Sequence, residues 1–318
     1  MQKLIATEAD FHKTYGFKCN GCGKCCTSAP ALSLDEVYKY KDVFIPRVRF
    51  DVTNLLNATR GLPEKIKAEV IETMKQRFTI AERSSSSGDF DLKEHFAISI
   101  QIAPIDYHVN DRCMMLRDDN RCELHLQNNK PQICQVVPFS TFMPEATLPV
   151  KLQDARQSYC TQIFENPSSD DNCEIIFQDG KVNFDSELGK ALRMNQVSCS
   201  KDQPILGTMV EMLSNIGLIH EDFYQHVMDT LQDGGDLTIS FTSLLMCFTG
   251  FLETDASELV PNGFTKETIP IFCQSQISLI DKEIAKALKR KNRNERSITA
   301  ELRSIRQDYI NFQNTISQ

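Results

Sequence analysis

The stretch "CNGCGKCC", residues 19–26, places a third of the twelve cysteines of this 318-residue chain side by side. We call these residues the cysteine loop. A Cys-x2-Cys unit in a tight turn lets two thiolates reach one metal ion, and Gly21 and Gly23 let the backbone fold around that ion. Zinc sites and iron–sulfur clusters both use loops of this kind. The loop therefore predicts a metal centre around which the N-terminal half folds.

The cysteine loop cannot complete a ferredoxin motif by itself. Its Cys-x2-Cys-x2-Cys run begins like a bacterial ferredoxin loop, which would continue with three residues and then Cys-Pro. Ala29 and Pro30 occupy the corresponding positions here. At least one further ligand must therefore come from elsewhere in the chain.

A second cysteine group lies in "RCMMLRDDNRCELHLQNNKPQICQVVPF", residues 112–139. It contains Cys113, Cys122 and Cys134, and Cys160 follows. Together with the loop, these make eight thiols, enough for two four-thiolate sites. We expect residues 113–134 to fold back against the cysteine loop, so that the sulfurs gather in one or two sites. His125, three residues after Cys122, is either a further ligand or a surface histidine.

Composition and charge restrict the classes of function. The first twenty residues contain no apolar stretch typical of a secretory signal, so we expect a cytoplasmic protein. Reducing conditions there oppose disulfides and favour metal or redox roles for cysteine. The net charge of −8 argues against nucleic acid as a partner, although residues 286–296 are basic. The longest apolar stretch, residues 241–252, is too short to span a membrane and predicts a buried helix.

Local patterns in the N-terminal half are mixed. "SLDE" at 33–36 is a capping box that predicts a helix over 34–44, and 63–78 also reads as helical. Alternation over 95–103 predicts a strand, and the Asp-Gly turn within 174–184 predicts a hairpin. "RSSSSGD" at 83–89 predicts a flexible loop.

The pattern beyond residue 200 is helical, and the expected fold class is α+β. A small mixed α/β metal-binding half, residues 1–199 with an insertion at about 46–105, precedes an all-α half, residues 200–318. The last helix carries an apolar seam, which packs on its own domain or against a partner helix. The seam comprises Ile298, Leu302, Ile305, Tyr309, Phe312 and Ile316.

The cysteine loop, the cysteine pair around a polar turn and "KPQICQVVPF" together resemble the YkgJ-type cysteine-cluster family of zinc- or iron-chelating proteins. Lys130 and Gln135 stand where that family usually has arginines, and Thr161 replaces its usual proline. The resemblance covers about residues 17–162. It marks as metal ligands Cys19, Cys22, Cys25, Cys26, Cys113, Cys122, Cys134 and Cys160.

Two functions are in keeping with these patterns and with the resemblance. The first is a protein that binds Zn²⁺ or iron, the iron held as an iron–sulfur cluster, while its helical half engages a protein partner. The alternative is an iron–sulfur-dependent enzyme that modifies proteins, because some relatives of the cluster family are flagellin lysine N-methylases. Catalytic residues cannot be assigned, since the sequence contains no recognisable pair of nucleophile and base. Whether the protein is an enzyme therefore stays open.

Overall fold

The computed structural model describes residues 13–87, 90–106, 112–139, 141, 145–219, 222–231 and 234–316. These residues form two four-stranded antiparallel sheets and a set of helices, which confirms the α+β class. The strands are β1 (Tyr15–Phe17), β2 (Pro46–Asn54), β3 (Thr79–Ser87), β4 (Phe90–Pro104), β5 (Ile163–Glu165), β6 (Glu174–Gln178), β7 (Lys181–Val182) and β8 (Asp236–Ser240). The helices are α1 (Leu34–Lys39), α2 (Leu55–Thr59), α3 (Glu64–Arg77), α4 (Glu123–Leu126), α5 (Gln132–Gln135), α6 (Leu148–Ser158), α7 (Glu187–Asn215), α8 (Phe223–Thr230), α9 (Phe241–Leu252), α10 (Thr268–Arg290) and α11 (Arg296–Ile316).

The smaller sheet has the strand order β5-β1-β6-β7. Asp179 and Gly180 have φ values of 52° and 77°, and they turn β6 into β7. This confirms the predicted hairpin, because such a two-residue turn needs positive φ at both positions. A small core that includes Tyr15, Leu152 and Phe177 lies between this sheet, α6 and the start of α7.

The larger sheet has the order β3-β4-β2-β8. Inward-facing residues alternate along β2, where Val48, Phe50 and Val52 are buried. Strand β8 comes from the C-terminal half and pairs with β2, Ile239 opposite Val48. The C-terminal half is helical, as predicted, apart from this short strand. A five-residue strand gives too short an alternation to stand out among helices, and pairing with β2 satisfies its backbone.

The loop predicted over 83–89 is wrong for residues 83–87, which continue β3, while residues 88 and 89 lie outside the described part of the chain. Strand β3 pairs in register with β4, from Thr79 opposite Ile98 to Ser87 opposite Phe90. Main-chain hydrogen bonds hold this ribbon together, and a serine run provides them as well as any other sequence.

Helix signals in the N-terminal half were accurate. The capping box of α1 is present, since the Ser33 N–H donates to Glu36 Oε2 at 3.1 Å. That helix ends at Lys39, five residues before its predicted end. Helix α3 occupies residues 64–77, within the predicted range.

The main hydrophobic core draws on both halves of the chain. It contains Phe50 and Ile100 of the larger sheet together with Leu206, Phe248 and Phe272 of the later helices. Helix α9 is buried as predicted, and no helix among the described residues could span a membrane. Helix α7 runs without a break across the predicted boundary at residues 199 and 200. The division into two domains stays a prediction.

The apolar seam of the last helix packs on the chain's own core. Leu302, Ile305, Tyr309 and Phe312 are buried within it. The ring centroids of Tyr309 and Phe272 of α10 lie 6.3 Å apart. The seam therefore packs within its own chain, the first of the two expectations, and not against a partner helix.

Candidate metal centre

The two cysteine groups are joined through the backbone. The N–H of Cys113 donates to the carbonyl oxygen of Cys26 at 2.9 Å, and the N–H of Cys26 donates to that of Gly23 at 3.0 Å. The second group therefore folds back against the cysteine loop, as predicted.

Residues 113–122 form a tight hairpin whose turn holds the cysteine loop. The N–H of Arg117 donates to Arg121 at 2.9 Å, and Leu116 pairs with Cys122 across the hairpin. Gly23 has a φ of 70°, and a Cβ placed on it would lie 2.5 Å from the carbonyl oxygen of Asn120. Only glycine allows this close approach between loop and turn.

Cys160 reaches the cysteine loop through strand pairing. Strand β1 precedes the loop and pairs with β5, which follows Cys160, with Phe17 opposite Ile163. The N–H of Lys18 extends this pairing by donating to Gln162 at 3.2 Å. Cys160 itself ends the turn after α6, where its N–H donates to Ala155 at 2.7 Å. Two residues distant in sequence, Cys19 and Cys160, are thus brought to one end of the small sheet.

Cys134 lies in the short helix α5, which Glu36 of α1 anchors. The Glu36 Oε1 atom accepts a hydrogen bond from the N–H of Gln132 at 2.8 Å. The Ser198 hydroxyl of α7 donates to the Gln132 side chain at 2.9 Å. These contacts fix the position of Cys134 between α1 and α7.

The eight predicted ligands line two neighbouring cavities. The loop cavity, of about 360 Å³, is lined by Cys19, Cys22, Cys25, Cys26, Cys122, Cys134 and Cys160. The sheet cavity, of about 470 Å³, is lined by Cys25, Cys26, Cys113, Cys122 and Cys134. Of these two cavities, Cys19, Cys22 and Cys160 border only the first and Cys113 only the second.

The adjacent thiols Cys25 and Cys26 differ in acidity. A hydrogen bond from the Cys26 thiol lowers the pKa of Cys25 to about 6, against the opposing effect of burial. The same hydrogen bond and burial raise the pKa of Cys26 well above its usual range. Cys25 is therefore the more acidic thiol of this pair, and the thiolate is the form in which cysteine binds a metal.

Electrostatic interactions group the other thiols. Burial first, and then the neighbouring Cys22, Cys25 and Cys19, raise the pKa of Cys160. In the sheet cavity, burial raises the pKa of Cys113 to about 11 and that of Cys134 to about 12, and other thiols nearby add to both shifts. A bound cation would offset this mutual repulsion by holding the thiols as thiolates.

Lys130 is a positively charged residue that acts on thiols of both cavities. It borders both cavities, and its positive charge lowers the pKa of Cys25 and opposes the rise at Cys134. The sequence marked this position as one where the resembling family has an arginine. Arg47 and Arg49 of β2 also border the sheet cavity. Both arginines were missed from the sequence alone. Their alternation with Val48 is the signal that could have placed them on one face of a strand.

The remaining candidates lie apart from the eight ligands or at their edge. His125 is exposed and borders the loop cavity. Cys247 and Cys273 are fully buried in the main core, where a free cysteine packs as a small apolar residue. Cys173 and Cys199 are half-buried, and neither borders the loop cavity or the sheet cavity.

The cysteine sulfurs are suitable ligands for a thiophilic metal, but their positions do not form a complete coordination site. Thiolates in sets of four suit zinc and iron–sulfur centres. Within the residues that the structure describes, no three Cys, His, Asp or Glu side chains already stand so that they could hold a metal ion. The exposed residues Cys19, Cys22 and Cys25 lie on a loop with two glycines at positive φ. A closed site therefore requires the sulfurs to move closer together, and the two glycines give the loop the freedom to do so.

Comparison with known proteins identifies the segment that carries these cysteines. Residues 18–174 match the model of the CxxCxxCC family, described as "Putative zinc- or iron-chelating domain". No curated protein and no solved structure matches the chain. All eight cysteines that line the two cavities fall within the matched residues. Residues 18–174 are therefore a cysteine-cluster domain that belongs to the CxxCxxCC family.

Proposed function

We propose that the chain is a metal-binding protein that holds zinc or iron in two four-thiolate sites. The loop site consists of Cys19, Cys22, Cys25 and Cys160. The hairpin site consists of Cys26, Cys113, Cys122 and Cys134. The observation that supports this division most directly is the Cys113–Cys26 backbone hydrogen bond, which ties one member of the adjacent pair to the hairpin.

The geometry of each site follows from the elements that carry it. Cys26 and Cys113 are already neighbours, while Cys122 closes the hairpin and Cys134 sits on the anchored helix α5. Cys160 is held at the end of the small sheet, so that the cysteine loop must close onto it. In a tetrahedral site the sulfurs lie about 2.3 Å from the metal and roughly 4 Å from one another.

Metal binding in this arrangement cross-links parts of the chain that are distant in sequence. A bound zinc ion supplies a fixed cross-link, and an iron–sulfur cluster adds one-electron chemistry. Lys130 offsets the negative charge that four thiolates bring to each site. The chain's own residues thus provide ligands, a charge partner and a backbone frame.

The test is metal stoichiometry in full-length protein purified without oxygen. We expect Cys160→Ser and Cys113→Ser each to lose about half of the bound metal, since each removes a ligand from a different site. The double variant should lose nearly all of it. If either single variant removes all the metal, the eight thiols hold one shared centre, and if both retain all of it, the proposal is wrong. Broad visible absorption that bleaches on reduction identifies iron–sulfur, and a colourless protein with bound zinc identifies zinc.

A second candidate function, an iron–sulfur-dependent enzyme that modifies proteins, has its own supporting observation. The sheet cavity extends from the hairpin thiols to Arg47, Arg49 and Gln101, and its volume of about 470 Å³ can admit a substrate side chain. For lysine methylation, the test is transfer of labelled methyl groups from S-adenosylmethionine to proteins of a cell extract. Transfer that Cys113→Ser abolishes would support the enzyme, and transfer absent from the metal-loaded wild type would reject it.

The partner-binding role expected of the helical half remains a prediction. The seam of α11 is not available for it, because this seam packs on the chain's own core. A protein partner would therefore have to bind another surface of these helices.

A further inference from the structure

A separate cavity lies along helix α7, away from the cysteine centre. We call it the α7 cavity; its volume is about 430 Å³, within the range of small-molecule binding sites. None of the eight candidate metal ligands lines it. The described residues that line it include Arg77, Phe78, Ile100, Gln196, Gly207 and Glu211.

One face of α7 forms the long wall of this cavity. Gln196, Ser200 and Gly207 recur at steps that place them on the same side of the helix. A Cβ built on Gly207 meets no heavy atom within 4 Å, so the cavity extends directly over the backbone at this point. Pro204, in the middle of the helix, has no N–H to donate to the carbonyl of Ser200. The wall thus contains both a gap in the side chains and an interruption of the helical hydrogen bonds.

Hydrogen-bond donors gather at one end of the α7 cavity. The Nε2 atom of Gln196 is buried and has no hydrogen-bond partner among the described residues. A buried donor without a partner is costly, so such a group usually faces a ligand or an ordered water. Arg77 lies at the same end, where its guanidinium donates to the carbonyl of Thr141 at 3.2 Å and Thr141 contacts Asn195 of α7.

Other parts of the wall are hydrogen-bonded within the chain or are apolar. The Gln203 amide donates to the carbonyl of Ile100 at 2.7 Å, and the Thr208 hydroxyl donates to Pro204 at 3.1 Å. Phe78 and Ile100 are buried and present apolar surface. Among the described lining residues the one carboxylate is Glu211, about 18 Å along the helix from Cys199.

We propose that the α7 cavity binds a small organic carboxylate. Its carboxylate group accepts hydrogen bonds from the Arg77 guanidinium and the Gln196 amide, and its apolar body lies against Phe78 and Ile100. A guanidinium and an amide N–H suit a carboxylate because both only donate toward it. Glu211 repels a second negative charge at the far end, so the site favours a monocarboxylate.

The experiment uses the full-length chain with its native metal and matched pairs of probes. Benzoate and hexanoate are titrated by calorimetry beside benzamide and hexanamide, which keep the shape and lose the charge. We expect each carboxylate to bind about tenfold more tightly than its amide, or better, as a charge-assisted hydrogen bond requires. The proposal is overturned if neither carboxylate binds, or if the amides bind equally well.

Two substitutions at one position locate the binding. Gly207→Leu fills the open space over α7 and should weaken carboxylate binding by about tenfold or more. Gly207→Ala adds only a methyl group, and we expect it to bind within about twofold of the wild type. Metal content and melting temperature are measured for both variants. Binding that persists unchanged in Gly207→Leu would place the carboxylate elsewhere, for instance on the metal, and would reject this site.

Discussion

The N–H of Cys113 donates to the carbonyl oxygen of Cys26 at 2.9 Å. This contact joins the hairpin to the cysteine loop, and in the proposed arrangement it places two adjacent thiols in different sites. Cys26 is held toward the hairpin, and Cys25 is left on the exposed side of the loop. The division into a loop site and a hairpin site depends on this contact.

Gly23→Ala should loosen the cysteine loop from the hairpin. The added Cβ would lie 2.5 Å from the Asn120 carbonyl oxygen, so the backbone must shift to relieve this clash. We expect a loss of metal content and a lower melting temperature, measured by elemental analysis and calorimetry.

Gly21→Ala is the matched control for this contact. Gly21 has the same φ of 70°, but a Cβ there meets no atom within 4 Å. Both variants share the backbone strain of about 1 kcal/mol, and only Gly23→Ala adds the collision. Equal effects of the two substitutions would show that the hairpin contact does not hold the loop.

Cys22→Ser should reduce metal content with little effect on packing. Cys22 is exposed, and a hydroxyl that stays protonated at neutral pH cannot replace a thiolate ligand. Cys247→Ser should have the opposite effects. It should leave the metal content unchanged and lower the free energy of unfolding by about 1–3 kcal/mol, because it places a hydroxyl in an apolar core. Elemental analysis and urea unfolding measure the two effects. Full metal occupancy in Cys22→Ser would exclude Cys22 as a ligand.

Lys130→Gln should weaken metal binding by about tenfold, because it removes the positive charge near Cys25 and Cys134. Lys130→Arg keeps the charge and should retain most of the affinity. Competition with a chromogenic chelator measures both. If the Lys130→Gln variant binds metal as tightly as the Lys130→Arg variant, then residue 130 does not compensate the charge of the thiolates.

Stability should fall in alkaline solution through two core thiols. Burial raises the pKa of Cys247 and of Cys273 from 9.0 to about 12. Between these values the unfolded chain loses protons that the folded chain keeps, so the free energy of unfolding decreases as pH rises. Each thiol contributes about 1.4 kcal/mol per pH unit in this window.

The control is the Cys247→Ala/Cys273→Ala double variant, which shares every other ionisable group. Urea unfolding at about pH 8 and about pH 10 should show that wild type loses roughly 2–3 kcal/mol more than this variant. Parallel losses in the two proteins would contradict the assignment.

Leu302→Ala should destabilise the chain by about 2–5 kcal/mol, because this residue is buried in the core beneath α11. Ser304→Ala, exposed on the same helix, should change stability by less than about 0.5 kcal/mol. Urea unfolding and light scattering provide the measurements. Unchanged stability together with a change in oligomeric state would mean that the seam serves a partner instead.

The sequence by itself determined the α+β class, the helices α1 and α3, the hairpin of β6 and β7, and the eight candidate ligands. These features are local: caps, turns and alternation act within a few residues, and a cysteine loop is improbable enough to be recognised alone. It also indicated that thiols distant in sequence must meet, because the loop lacks a fourth ligand of its own.

Only the tertiary structure decided which thiols are neighbours and what else surrounds them. The pairing of β1 with β5 brings Cys160 to the loop, and the hairpin contact brings Cys113 next to Cys26. Both depend on backbone hydrogen bonds that any residues could make. Strand β8 and the serine run of β3 are likewise set by pairing with neighbouring strands, and the α7 cavity exists because Gly207 faces empty space between packed elements. Such relationships depend on contacts between distant segments, for which a single sequence carries no local signal.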